Sequence, residues 1–285
     1  WIYPDMKVHT DCRHYRGDIP CRPHKKSGVH CSGCTHYYPV KKRILIIKLG
    51  AIGDVIRTTP LLTKLKEAEP DGEIIWLTHF PDILPLDEID SIIKPDIEHY
   101  AWLRGNRFDW LINLDKEKLA IALAEDIEAE KKSGFGMDEL GRGKPLGREA
   151  ELHKWQTGLW DDLNKSNTKT YMEEIFEICG YRFQGEEYLL DDEKKGTLQW
   201  NLGNPGTIVG LNTGCGGRWT SRLWPEKHWI SLAAGLKERG YSPVLLGGSQ
   251  EDEKNRRIAE TSGALYPGHF DLKTFINLVN QTDLV

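Results

Sequence analysis

Short apolar runs alternate with amphipathic helical patterns along most of the chain. In the first half, three runs rich in β-branched residues are typical of strands buried on both faces: 43–49, 73–78 and 110–114. Apolar residues recur at helical spacing in 54–68, where Pro60 interrupts or restarts the helix, and again in 116–131. Strands that alternate with helices predict a parallel, doubly wound sheet.

The same pattern restarts in the second half, after a less regular stretch. Residues 133–170 are rich in Gly, Lys and Asn with weak periodicity, which predicts long surface loops. The remaining predicted elements are a helix at 170–179, strands at 207–212 and 242–246, and helices at 226–239, from Gln250 onward and at 271–280. We therefore predict an α/β protein with two Rossmann-like halves, 43–204 including a linker and 205–285. The active site is then expected in a cleft between them, at the carboxyl ends of strands.

Length and composition narrow the class of protein. The chain has 285 residues, a formal net charge of −5 and 39% hydrophobic residues, which suits two domains. Its longest apolar run, 119–124, is far shorter than the roughly 20 apolar residues of a membrane-spanning helix. No leader that is first basic and then apolar opens the sequence. We expect a soluble, cytoplasmic protein that does not bind nucleic acid, with peripheral contact at the inner face of a membrane left open.

These averages hide a distinct first segment, residues 1–42. Up to Arg43 the chain holds nine Lys and Arg against three Asp, a net charge of +6, so the remainder carries −11. Positive charge of this kind favours an anionic membrane surface or an acidic acceptor. The segment also holds four of the six cysteines, Cys12, Cys21, Cys31 and Cys34.

These four cysteines predict a structural metal site. The C-x-x-C spacing of Cys31 and Cys34 lets two thiolates chelate one metal, and cysteines of a cytosolic enzyme favour metal over disulfides. Zinc, iron or an iron–sulfur cluster satisfies the count. Free thiols or two disulfides are the alternatives, and one of the nearby histidines could replace a cysteine: His14, His24 or His30.

The first motif with chemical potential follows the first predicted strand. It runs Lys-Leu-Gly-Ala-Ile-Gly-Asp-Val over 48–55, and its glycines let the backbone approach a ligand. Its spacing is not G-x-G-x-x-G, so the dinucleotide fingerprint is absent. Asp54 is either a helix cap or a carboxylate that takes a proton from an attacking hydroxyl, and spacing alone does not choose between the two.

Two further glycine loops lie in the second half. The loop 212–225 joins a glycine-rich strand exit to two arginines, Arg218 and Arg222, and a helix that begins at a proline. Such a loop can cradle a diphosphate, whereas the alternative is an ordinary surface loop with solvated arginines. The loop 245–253 contains Gly247 and Gly248, followed by Glu251, a carboxylate that could hold ribose hydroxyls.

Together these segments resemble glycosyltransferase family 9, the ADP-heptose-dependent heptosyltransferases of lipopolysaccharide core assembly. The resemblance runs from about Arg43 to the end of the chain and is carried by RILIIKLGAIGDVIRTTPLL, FDWLINLDKE, GLNTGCGGRWTSRLWPEKHWISLAAGLKERG and VLLGGSQEDE. It implies a GT-B fold, inverting transfer without a catalytic metal, an acceptor domain first and a domain for the ADP-sugar donor second.

The resemblance also assigns roles to residues. It places the general base on Asp54 and an acceptor or phosphate partner on Lys48. Arg222 falls on a cationic position that neutralises the leaving group, Thr213 and Gly214 match the donor loop, and Glu251 matches a ribose contact. The family usually continues past the strand onset at Leu284-Val285 into a segment that grips the diphosphate, so we expect a truncated donor domain.

Several alternatives remain at this stage. The donor could be another nucleotide sugar, and the acceptor a saccharide, a glycolipid or a protein. A catalytically silent, metal-bearing scaffold with the same fold is the alternative of another class. The sequence does not fix the oligomeric state.

Overall fold

The computed structural model describes residues 7–147, 149–190, 199–202, 206–215 and 217–285, without the side chains of 217–219. The chain divides into two units, Trp1–Leu190 and Asp191–Val285. The N-terminal cysteine segment therefore belongs to unit 1, and the predicted boundary at residue 204 lies inside unit 2.

Unit 1 contains a six-stranded sheet surrounded by helices. Its strands are β1 (Lys42–Ile47), β2 (Gly72–Leu77), β3 (Ser91–Ile93), β4 (Arg107–Asn113), β5 (Glu128–Met137) and β6 (Gly143–Pro145). Its helices are α1 (Arg22–Ser27), α2 (Ile52–Thr58), α3 (Leu61–Ala68), α4 (Ile97–Arg104), α5 (Lys118–Asp126), α6 (Ala150–Thr157), α7 (Asp161–Ser166) and α8 (Tyr171–Ile178).

The sheet of unit 1 has the doubly wound order that the alternation predicts. Its strand order is β3-β2-β1-β4-β5-β6, in which the first five strands are parallel and β6 is antiparallel to β5. Central β1 is buried on both faces, which its run of Ile and Leu allows. As predicted, the first long helix breaks at Pro60, between α2 and α3.

The prediction of long loops over 133–170 was wrong. This stretch holds the second half of β5, then β6, α6 and α7. The predicted helix over 116–131 ends at Asp126, and the residues after it start β5. The first half of β5 is charged and partly exposed, so it lacks the apolar run that marks a buried strand.

Gly134 explains how β5 lies beside β4. Its φ is +96°, and a Cβ added to it would stand 1.8 Å from the carbonyl oxygen of Asn113 on β4. Only glycine combines that backbone conformation with so close an approach of two strands.

Unit 2 repeats the α/β pattern on a smaller scale. Its elements are β7 (Ile208–Asn212), α9 (Glu226–Glu238), β8 (Ser242–Leu246), α10 (Asp252–Ser262) and α11 (Leu272–Val279). Strands β7 and β8 are parallel, and single parallel bridges join Leu284 to Val209 and Leu265 to Val244. The predicted strands and helices of this half, including the strand onset at the last residues, are thus confirmed.

The N-terminal segment packs against the rest of unit 1 near the first residues of β1 and β2. Cys12 pairs with Pro39 in an antiparallel bridge, and Arg13 donates hydrogen bonds to the Asp90 carboxylate (2.5 Å) and to the carbonyl of Gly72 (2.7 Å). Within the described part of the chain, no helix is long and apolar enough to cross a membrane.

Candidate active site

A buried ion pair holds the glycine loop that follows β1. The Lys48 ammonium pairs with the Asp115 carboxylate, and their side chains are 3% and 7% exposed. The second oxygen of Asp115 accepts the N–H of Leu49 (2.5 Å), and the Lys48 ammonium also bonds the carbonyl of Gly50. The ammonium of Lys48 is therefore already engaged with protein atoms, and its contacts position the loop.

Asp54 lies in the first turn of α2, directly after this loop. The N-cap of α2 is Ala51, and no side chain caps the helix, so the capping alternative for Asp54 is excluded. One carboxylate oxygen, Oδ1, accepts a hydrogen bond from Arg57, while the side chain remains 34% exposed. Among the described residues, Oδ2 has no hydrogen-bond partner. The carboxylate is thus oriented by one cation and still open to a ligand.

Residues from α6 and α8 complete the surroundings of Asp54. The guanidinium of Arg57 lies 4.3 Å from the centroid of the Tyr171 ring, and the ammonium of Lys154 lies 5.1 Å from the same centroid. The Tyr171 hydroxyl is 3.4 Å from the hydroxyl of Thr58. Burial raises the pKa of Tyr171, and the negative charges of Asp54 and Asp115 raise it further. Tyr171 therefore stays a neutral phenol beside the carboxylate.

Lys154 is itself held in place by a buried acid. It pairs with Glu174, which is 4% exposed and also accepts a hydrogen bond from Asn167 (3.1 Å). Glu174 lies in the first turn of α8, which starts with a complete capping box between Thr170 and Glu173. The capping box fixes the start of α8 and therefore the position of Tyr171, its first residue. The ring of Tyr171 is the one that Arg57 and Lys154 contact.

In unit 2, a polar network fixes the first glycine loop. Thr213 is 2% exposed, and its hydroxyl donates to the side-chain oxygen of Asn255 (2.6 Å). The Lys254 ammonium donates to the Thr213 carbonyl (2.8 Å), and the N–H of Gly214 donates to Asn212 (3.3 Å). Residues at the start of α10 thereby hold the loop that follows β7.

The two glycine loops of unit 2 meet at Glu251. Its carboxylate accepts the N–H of Gly248 (3.0 Å). A Cβ added to Gly214 or Gly247 would lie 2.6 Å or 2.8 Å from side-chain atoms of Glu251. The structure thus brings together four residues predicted to bind the donor, and it requires small residues around the carboxylate.

The part of the loop that carries the arginines forms a short 3₁₀ turn. Arg222 is exposed and ends a 3₁₀ turn over Gly217–Arg222, and Trp224 follows it with its ring stacked on His228 at 5.2 Å. The side chain of Arg218 lies outside the described residues.

The four N-terminal cysteines lie in unit 1. All four are half-buried and free of disulfides, and all four line one cavity in unit 1. Among the described residues, no three Cys, His, Asp or Glu side chains are placed to hold a single metal ion.

Sequence reasoning missed the partners of the predicted residues. Asp115 bonds the glycine loop of unit 1, and Arg57 pairs with Asp54. Tyr171 lies against both Arg57 and Lys154. Tyr171 also meets Thr58, which is 113 positions away in the sequence, so no local pattern predicts this contact. Asp115 alone carried a usable signal, because it follows the third predicted strand and the carboxyl ends of parallel strands share one edge of a sheet.

Comparisons with known proteins agree with this fold. The model of "Glycosyltransferase family 9 (heptosyltransferase)" matches residues 98–285. The chain is 25% identical over 240 residues to lipopolysaccharide heptosyltransferase 1 of Pseudomonas aeruginosa, covering 76% of this chain and 64% of that protein. It thus spans less than two thirds of the length of this curated relative.

Two solved structures share the fold. A family 9 glycosyltransferase from Veillonella parvula superposes with a TM-score of 0.62 at 21% identity, covering 86% of this chain and 74% of the other. The heptosyltransferase WaaC of E. coli, solved with ADP-2-deoxy-2-fluoro heptose, gives 0.54 at 20% identity, covering 85% and 81%.

Proposed function

The chain belongs to glycosyltransferase family 9, and from this premise we propose that it transfers a heptose-like sugar from an ADP-sugar to a saccharide acceptor with inversion at the anomeric carbon. The single observation that carries the proposal is the family match over 98–285, which includes the glycine loops of unit 2. The curated relative is named a lipopolysaccharide heptosyltransferase, so we propose a glycolipid core saccharide as the acceptor.

Asp54 is the proposed general base. Its Oδ1 is held by Arg57, which leaves Oδ2 for the hydroxyl of an acceptor sugar. As the acceptor oxygen forms its bond to the anomeric carbon, the proton passes to Asp54. The bond from the anomeric carbon to the diphosphate breaks, and its electron pair leaves with the ADP.

Arg57 and Lys48 are proposed as positioning residues. The Arg57 guanidinium is fixed between the Asp54 carboxylate and the Tyr171 ring, so it sets which oxygen faces the acceptor. Lys48 acts indirectly, because its ion pair with Asp115 holds the glycine loop that precedes Asp54. A direct contact of Lys48 with acceptor or phosphate would first require this ion pair to open.

The donor is proposed to bind the glycine loops of unit 2. Thr213 and Gly214 offer backbone groups that Asn255 and Lys254 already orient. The missing side chain of Gly247 makes room for Glu251, whose carboxylate accepts the N–H of Gly248. Glu251 takes the ribose hydroxyls with the carboxylate oxygen that does not bond Gly248. Arg222, together with Arg218, stabilises the negative charge that develops on the leaving ADP, so no catalytic metal is required.

A donor screen tests this proposal. The purified protein is titrated with ADP, UDP and GDP, and then incubated with ADP-heptose and a heptose-free lipopolysaccharide core, with product measured by mass spectrometry. We expect ADP to bind most tightly and the core to gain the mass of one heptose. If only a UDP-sugar or a GDP-sugar supports transfer, the assignment of an ADP-sugar as the donor is wrong. If the protein binds no nucleotide sugar, the result favours the scaffold alternative.

A further inference from the structure

The four cysteines of the N-terminal segment surround one cavity of about 260 Å³. Cys12 lies in the strand-like bridge to Pro39, Cys21 immediately precedes α1, and Cys31 and Cys34 are joined by a 3₁₀ turn. We propose that this cavity is a binding site for an iron–sulfur cluster held by Cys12, Cys21, Cys31 and Cys34. The proposal is independent of the transferase function, since the cavity contains none of the residues assigned to it.

The chemistry of the cavity lining selects soft metals. The four cysteines line it together with His9, His14, His24 and His30, and no described carboxylate does so, which disfavours magnesium and calcium. Lys7 and Arg16 also line the cavity. A cluster held by four thiolates is anionic overall, and these two cations offset that charge.

The placement of the four cysteines favours a cluster over a single ion. One zinc ion with Zn–S bonds of about 2.3 Å needs its four sulfurs roughly 3.8 Å apart. No three candidate ligands among the described residues are placed to hold a single ion, although all four cysteines line the same cavity. In a cluster, each iron can take its own thiolate across bridging sulfides, which fits thiols that line a cavity.

The position of the cavity indicates a structural role. Arg13, the neighbour of Cys12, is hydrogen-bonded to Gly72 at the start of β2, whereas Asp54 follows the carboxyl end of β1. A six-residue strand such as β1 is about 20 Å long, so the cluster would lie roughly that far from the base. A cluster that joins the four cysteines between Cys12 and Cys34 would order a segment that has few buried apolar side chains of its own.

Metal and sulfide analysis tests the proposal. The protein is purified without oxygen, depleted of metal, and divided between reconstitution with ferrous iron plus sulfide and reconstitution with zinc. We expect the native and iron-reconstituted protein to hold equal amounts of iron and acid-labile sulfide, about two to four of each per chain, with a visible absorption that dithionite bleaches. One zinc per chain without sulfide would overturn the proposal in favour of mononuclear zinc, and no bound metal would overturn it in favour of free thiols.

A pair of variants ties the cluster to these cysteines. C12S/C34S is expected to lose the visible absorption and most of the iron, whereas C179A, which removes a buried cysteine at the end of α8, keeps both. Retention of iron and sulfide by C12S/C34S would contradict the assignment. Where the double variant does not fold, the ratio of iron to sulfide in the unaltered protein decides.

Discussion

Replacing Asp115 with alanine tests whether a buried ion pair holds the loop that carries the proposed base. Asp115 is 6% exposed, and its carboxylate accepts from the Lys48 ammonium and from the N–H of Leu49. The D115A protein would retain a buried ammonium with no counter-charge and a backbone N–H with no acceptor. Both groups lose their hydrogen bonds to water on folding. In D115A no protein contact replaces the bonds that Asp115 made, so the free energy of unfolding falls by the desolvation cost of these groups.

The expected magnitude follows from these contacts. Removing one partner of a buried pair costs about 3–5 kcal/mol, and a buried unsatisfied N–H costs about 1–3 kcal/mol. These costs overlap at one site, so we expect a loss of about 3–6 kcal/mol in the free energy of unfolding. The double variant K48M/D115A removes the stranded charge as well and should recover part of the loss, but not the part due to the N–H of Leu49.

Urea unfolding followed by tryptophan fluorescence provides the assay, because Trp76 and Trp110 are buried in the sheet of unit 1. With m-values of about 1–3 kcal/mol/M, D115A should lower the midpoint by at least about 1 M. D71A is the matched control: it breaks a Lys–Asp pair in which Lys41 is exposed and Asp71 is partly exposed, and it should cost at most about 1 kcal/mol. A loss for D115A no larger than that for D71A would refute the reasoning.

Three further predictions concern other parts of the chain. G134A should destabilise unit 1 by about 2–5 kcal/mol in urea unfolding, because its Cβ would overlap β4; G141A, with a φ of +75° in open space, should cost only about 1–2 kcal/mol. Hydrogen bonds from Arg256, Tyr266 and His269 lower the pKa of Asp252 to about 2. Its stabilising contribution should therefore be present above about pH 4 and lost towards pH 2, and D252N should lack this part of the acid transition. R57M should lower the turnover of the proposed transferase more than its donor affinity, because Arg57 orients Asp54 and lies in unit 1; equal losses of both would contradict this role.

The elements that sequence patterns predicted are those whose burial is uniform. Strands β1, β2 and β4 lie inside the sheet and carry continuous apolar runs, so periodicity alone located them. The sequence pattern did not predict strand β5, because its first half is charged and largely exposed. The position of this strand also depends on the close approach of Gly134 to the backbone of β4. That requirement is tertiary, and no local pattern contains it.

The candidate sites show the same division. Glycine loops at strand ends could be found from the sequence because they are local, and Thr213, Gly214, Gly247, Gly248 and Glu251 do gather. The environment of Asp54 could not, since Arg57 meets Tyr171 only after α8 packs against α2. Lys48 shows the limit of assigning roles by position, because its burial against Asp115 became visible only in three dimensions.

The most direct test of the account compares sugar transfer by the unaltered protein and by D54N under saturating ADP-heptose and core acceptor. Asp54 is partly exposed and its pair with Arg57 is a surface pair, so D54N should fold and should still bind ADP through unit 2. Loss of a general base predicts a fall in kcat of about 10²–10⁴-fold. D87N, which changes an exposed carboxylate outside the site, should transfer normally. Turnover by D54N within a few-fold of the unaltered protein would contradict the central claim.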